Sequence, residues 1–110
     1  MADIDENGFR TLADATLARL LETLEEAIGE TADVDLEEGI LTVDLASGGR
    51  YVINKNLPNR QIWLSSPASG AAHYEYDPAQ GWRNTRGGAT LHAVLEHELS
   101  IIAGRPVTLD

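Results

Sequence analysis

The apolar positions of this chain change period twice. Over residues 8–29, Phe9, Ala13, Leu17, Leu20, Leu24, Ala27 and Ile28 recur at spacings of three and four, the mark of a helix with one buried face. At about 100° per residue, Asp14, Ala18, Glu22, Glu25 and Glu26 fall on the opposite face, and Gly29 supplies a stop. The period then drops to two. Val34 and Leu36 alternate with Asp33, Asp35 and Glu37, which predicts a half-buried strand. Glu38-Gly39 reads as a turn, Ile40–Leu45 as a second strand, Ser47-Gly48-Gly49 as a hairpin turn and Arg50–Lys55 as a third strand. Pro58 puts residues 56–59 in a loop, because it has no N–H to give to a ladder. Gln61–Ser66 reads as a fourth strand, residues 67–70 as a loop, His73–Tyr76 as a short fifth strand, residues 77–81 as a turn and Trp82–Asn84 as a sixth strand. The helical period returns over Leu91–Ala103, with Thr90 as N-cap and Leu91, Val94, Leu95, Ile101 and Ile102 as its apolar face. Gly104 ends this helix and Pro106 prevents its return, leaving Val107–Asp110 as a short tail over the core.

One helix, about six consecutive strands with short turns, and a second helix predict an α+β fold. The expected form is a two-layer α/β sandwich, α-β-β-β-β-β-β-α, with both helices on one face of an antiparallel sheet and the other face open to contacts. At 110 residues, with no repeat, linker or low-complexity stretch, residues 1–110 are expected to form one domain. A 43 % apolar content suffices for a packed core. Alternation places Tyr51, Ile53 and Lys55 on one face of the third strand. On the fourth, Ile62 and Leu64 make the core side, and Gln61, Trp63 and Ser65 the open one. A tryptophan beside polar groups on an open sheet face has the profile of a binding hot spot.

Charge changes the picture. The net charge is −10, and residues 1–49 hold 13 of the 18 acids against two bases. Phosphate and anionic headgroups would be repelled, so neither nucleic acid nor membrane is an expected partner. The N-terminal stretch is acidic, without the apolar core of a secretory signal or the arginines of a transit peptide, and a soluble cytoplasmic protein is the expectation. Cysteine is absent, which removes disulfides, thiolate metal sites and thiol nucleophiles. Glu22, Glu25, Glu26 and Glu30 crowd the C-terminal end of the first helix, where like charges four residues apart and the helix dipole both oppose them. Asp33, Asp35, Glu37 and Glu38 follow on the adjoining strand. Two readings fit: oxygen ligands for a hard cation, or a solvated acidic face. His92 and Glu96 are spaced to share a cation or a surface hydrogen bond. Glu98 lies at the edge of the second helix's apolar stripe and reads as a structural carboxylate accepting hydrogen bonds from a nearby loop. No nucleophile triad, P-loop or dinucleotide fingerprint can be assembled.

Tyr51 through Pro67, YVINKNLPNRQIWLSSP, resembles the signature sheet segment of the frataxin family. Leu12-Ala13-Asp14, Glu25-Glu26, Asp33-Val34-Asp35, Tyr74, Trp82, Leu91 and Glu98-Leu99 extend the likeness over about residues 9–109. The resemblance implies the same two-layer sandwich. It implies weak binding of ferrous and ferric iron through Asp14, Glu22, Glu25, Glu26, Glu30, Asp33, Asp35, Glu37 and Glu38. It implies docking on the cysteine desulfurase and scaffold protein of iron–sulfur cluster assembly, the acids meeting a basic desulfurase surface and the sheet contributing Asn54, Lys55, Gln61, Trp63 and His73. The roles it carries are iron donor, regulator of sulfur transfer or, as alternatives, weak ferroxidase or iron store, in a monomer prone to iron-induced oligomers and open to other divalent cations. Closeness to the mitochondrial branch suggests a bacterial cytoplasmic protein related to the mitochondrial ancestor. In place of the histidine that bacterial members carry early in the first helix, Phe9 is flanked by Gly8 and Arg10. His73 stands where mitochondrial members have arginine, which would make that contact pH-dependent. The stop at Asp110 implies modest thermal stability.

Overall fold

The computed structural model describes residues 4–109. Helix α1 spans Glu6–Ile28, two residues earlier than the apolar period predicts, because the Asp5 side chain accepts from Gly8 N at 2.7 Å and caps the first turn. Phe9, Ala13, Leu17, Leu20, Leu24 and Ile28 are buried, as their spacing predicts. Gly29 ends the helix for a reason other than a left-handed turn. Its φ is −58°, and a Cβ there would lie 2.4 Å from the Glu25 carbonyl oxygen.

Six strands follow: β1 (Ala32–Glu37), β2 (Ile40–Leu45), β3 (Arg50–Asn56), β4 (Gln61–Ser66), β5 (Gly70–Asp77) and β6 (Gly81–Asn84). They pair antiparallel in chain order, so β1 and β6 are the edges. β5 is longer than expected. Gly70, Ala71 and Ala72 are weak strand formers, yet pairing with Ser66, Ser65 and Leu64 draws them into the ladder. Helix α2 spans Leu91–Ala103, capped by Thr90 and closed by Gly104 at φ 69°.

Both helices cover the face that carries Leu41, Val43, Tyr51, Ile53, Ile62, Leu64, Tyr74 and Trp82. Trp82 packs edge-on against Phe9 and Tyr76, and its Nε1–H donates to Thr16 Oγ1 at 3.0 Å. The expected apolar face of α2 needs correction. The buried residues are Leu91, Leu95, Glu98 and Leu99, while Ile101 is 70 % and Ile102 42 % exposed. Ile101 lies well round the helix from Leu91 and Leu99, and Ile102 sits in a last turn with little above it. Beyond Gly104 the tail lies on the core as predicted. Val107 and Leu109 are buried, Val107 N donates to Ser100 Oγ and Leu109 N donates to Glu96 Oε2. Asp110 lies outside the described residues. No helix among the described residues is long and apolar enough to cross a membrane.

Candidate functional site: an acidic edge and an open sheet face

Alternation along β1 aims Asp33, Asp35 and Glu37 at the uncovered face of the sheet, at its edge and in water. The tight β1–β2 turn exposes Glu38, which adopts φ 52° beside Gly39 at φ 77°. On α1, Glu22, Glu25 and Glu26 are exposed, and Glu30 follows just past its end. Two of the predicted ligands are already engaged. Asp14 Oδ1 accepts from Lys55 Nζ at 2.6 Å, and Glu22 pairs with Arg19 at 3.1 Å. Among the described residues Glu25, Glu26, Glu30, Asp33, Asp35, Glu37 and Glu38 form no ion pair. The described residues also contain no cluster of three or more acids or histidines close enough to close round one ion. The acids therefore form a ridge of separated carboxylates, with oxygen donors suited to hard cations and no preset coordination geometry.

The open face is organised by register. Glu37, Ile40, Asn54, Trp63 and His73 stand opposite one another in a row across five strands, running from the acidic edge to an aromatic pair. The Trp63 and His73 rings stack with centroids 4.3 Å apart and planes at 12°. Trp63 Nε1–H donates to Gln61 Oε1 at 2.8 Å, Gln61 Nε2 donates to Glu75 Oε2 at 3.4 Å, and Arg83 pairs with Glu75 at 3.4 Å. This chain of contacts holds the half-buried indole in place. Asn54, Gln61, Trp63 and His73 thus share one surface. Lys55 does not belong to it: next to Asn54 on β3, it points to the helix side and reaches Asp14. Ile40, Glu75 and Arg83, which complete the face, were missed in the sequence. Alternation within β2, β5 and β6 would have placed all three.

Glu98 sits beneath the covered face. Its Oε1 accepts from Tyr51 O–H at 2.7 Å and from Ser66 Oγ–H at 2.6 Å, and Ser66 Oγ accepts from Ala68 N and Ser69 N in the following loop. This is the structural carboxylate predicted from sequence, serving β3 as well as the loop. Burial alone would push its carboxyl up in pKa. Hydrogen bonds from Ser66, Ser69 and Tyr51 and the charge of His97 outweigh that and hold it below the usual glutamate value. Burial, reinforced by Glu98, pushes the Tyr51 and Tyr74 phenols up. Glu96, spaced four residues from His92, anchors the tail by accepting from Leu109 N at 2.7 Å.

Residues 2–105 match the family model of the frataxin-like domain. The chain is 41 % identical to the mitochondrial frataxin of Arabidopsis thaliana over 97 % of its length, and 40 % identical to the mitochondrial frataxin homolog of Schizosaccharomyces pombe over 90 %. It spans 60 % and 66 % of the length of those two relatives. Among solved structures, frataxin from Psychromonas ingrahamii superposes with a TM-score of 0.82 at 25 % identity, covering 96 % of this chain and 97 % of that one. A trimeric frataxin from Saccharomyces cerevisiae complexed with ferrous iron superposes with a TM-score of 0.73 at 37 % identity, covering 86 % and 87 %. One expectation is overturned. The Arabidopsis thaliana and Schizosaccharomyces pombe relatives and a third, from Caenorhabditis elegans, are mitochondrial proteins of eukaryotes, which points to a mitochondrial location and away from the bacterial cytoplasm. On the match over residues 2–105, the chain belongs to the frataxin family, whose members are iron-related proteins of iron–sulfur cluster biogenesis.

Proposed function

We propose that this chain is an iron-carrying accessory protein of iron–sulfur cluster assembly, which loads ferrous iron weakly along the α1/β1 carboxylates and docks on a cysteine desulfurase–scaffold complex. The observation that carries the reading is the row that joins Glu37 to the Trp63–His73 stack. A cation ridge and an aromatic hot spot then share one continuous surface, so cargo and partner can meet without a conformational change. Separated, unpaired carboxylates support fast, weak exchange of iron as cargo, since an ion on one or two oxygens keeps most of its water. The same separation counts against ferroxidase chemistry, which needs two irons held by fixed ligands. Trp63 offers a large rigid contact surface, and the acidic edge offers steering toward a basic partner.

Two measurements test the reading separately. Titration with Fe²⁺ under anaerobic conditions, followed by amide NMR shifts, is expected to perturb residues 25–38 first. Shifts elsewhere, or none, would remove the iron ridge. Trp63→Ala is expected to weaken binding to the desulfurase–scaffold complex while leaving those iron shifts intact. Unchanged binding would show that the open face is not the docking surface. A second reading, a regulator acting by contact alone without iron, is favoured by the absence of a closed ligand cluster among the described residues. It would be sustained if binding and control of sulfur transfer were identical with and without iron.

A further inference from the structure

The two helices end together. Arg105, just past α2, donates from Nη2 to the Ala27 carbonyl in the last turn of α1. Between these ends, the start of β1 and the β2–β3 turn lies an open groove of about 890 Å³. Its wall includes Ile28, Leu45 and Ile102, and its rim includes Glu25, Glu26, Glu30 and Asp33. Neither helix has a basic residue in its last turn, so the negative ends of both dipoles add to the four carboxylates. Arg105 is the one cation among the lining residues, and it is held by Ala27. Ile102 is 42 % exposed there and its neighbour Ile101 70 %, the most exposed large apolar side chain among the described residues. The described residues of the tail do not cover them. After Pro106 it turns back along α2 toward Ser100 and Glu96, away from the last turn.

We infer that this groove receives a basic, amphipathic segment of the partner, with an apolar side chain seated against Ile102 and lysines or arginines on the surrounding rim. The inference rests on the docking proposed above and extends it: the contact is anchored at the α2 terminus as well as steered by charge. The charge complementarity selects this occupant over a second copy of the chain, whose own groove and β1 edge are equally acidic. An electrostatic rim and an apolar anchor respond differently to salt, since added salt shortens the Debye length from about 8 Å at physiological ionic strength and weakens attraction between exposed charges, while apolar burial is left intact.

The test measures the affinity of the full chain for the desulfurase–scaffold complex at low and high salt, in three forms: wild type, Ile101→Ser/Ile102→Ser, and Glu25→Gln/Glu26→Gln. The isoleucine variant is expected to bind on the order of tenfold more weakly at both salt concentrations, with its melting temperature close to wild type because neither side chain belongs to the buried core. The glutamate variant is expected to lose affinity at low salt and to approach wild type at high salt. Unchanged affinity of the isoleucine variant, with the glutamate variant weakened, overturns the anchor and leaves the docking proposal standing. Unchanged affinity of both variants overturns the groove as a contact altogether, and the Trp63→Ala result then decides the docking proposal by itself. Sedimentation of the free chain that reports a dimer abolished by the isoleucine substitutions also overturns it, by assigning the patch to self-association.

Discussion

Glu98 offers the sharpest check on the physical reading. It is 9 % exposed and accepts two short hydrogen bonds on one oxygen, from Tyr51, which is fully buried, and from Ser66. A hydrogen bond to a charged group contributes about 1.5–3 kcal/mol, and a buried donor left without an acceptor costs about 1–3 kcal/mol. Glu98→Ala removes both bonds, orphans the Tyr51 hydroxyl and opens a cavity, so a loss of about 3–5 kcal/mol is expected. Glu98→Gln keeps a carbonyl acceptor and gives up only the charge assistance, for a loss of about 1–2 kcal/mol. The pH dependence follows from the lowered carboxyl. The folded state holds the ionised form more tightly than the unfolded chain does. Its stabilisation is therefore fully present above the ordinary glutamate range and disappears as pH falls through the depressed folded value. Urea unfolding at pH 7.5 and at stepped values down to pH 3.5 should show the gap between wild type and Glu98→Gln narrowing on acidification. A gap that stays constant with pH, or a Glu98→Gln protein as stable as wild type at pH 7.5, would refute the argument.

Three further outcomes are expected. Glu38 holds φ 52°, which costs a glutamate roughly 1 kcal/mol, and it precedes Gly39 in a two-residue hairpin turn that favours Asn-Gly. Glu38→Asn should therefore raise the unfolding free energy by about 0.5–1 kcal/mol in denaturant titration. Gly29→Ala, a change that often stabilises a helix end, should here destabilise by about 1 kcal/mol or more, because the new methyl meets the Glu25 carbonyl at 2.4 Å; a raised melting temperature would contradict this contact. Lys55→Met should release Asp14 from its 2.6 Å partner, so that Fe²⁺ titration of the variant shifts amides around residue 14 that wild type leaves unmoved.

The layers of the fold were legible because each element declares its period. The helix-like spacing from Phe9 to Ile28 and the alternation in β1 through β4 fix which side chains face inward, and the glycines mark the turns. The misreadings have specific causes. Ile101 and Ile102 look like core because apolar character does not report where a helix runs off its sheet. The start of β5 was hidden because Gly70, Ala71 and Ala72 take strand form only through pairing with β4. At the candidate site, the acids and Trp63 could be found by composition and alternation. The Trp63–His73 stack, the Lys55–Asp14 link across 41 residues and the Arg105 cap on α1 are long-range contacts with no local signature.

The position of the acids bears on why they are tolerated. Asp33 stands directly across from Asp44, a like-charge pair that destabilises a sheet, and Arg50 on the next strand relieves it by binding Asp44 at 2.6 Å. That leaves Asp33 unpaired at the edge, alongside Asp35 and Glu37. An edge strand lined with carboxylates cannot recruit another strand without bringing like charges together, so the same residues that suit a cation also guard β1 against edge-to-edge pairing. Neutralising these acids by bound cation or by a basic partner would remove that guard. Iron-dependent self-association, when it is measured, should accordingly begin at β1. Thr42→Lys, which sets an ammonium directly across from Asp35, should lower its iron dependence by competing with the cation for that carboxylate.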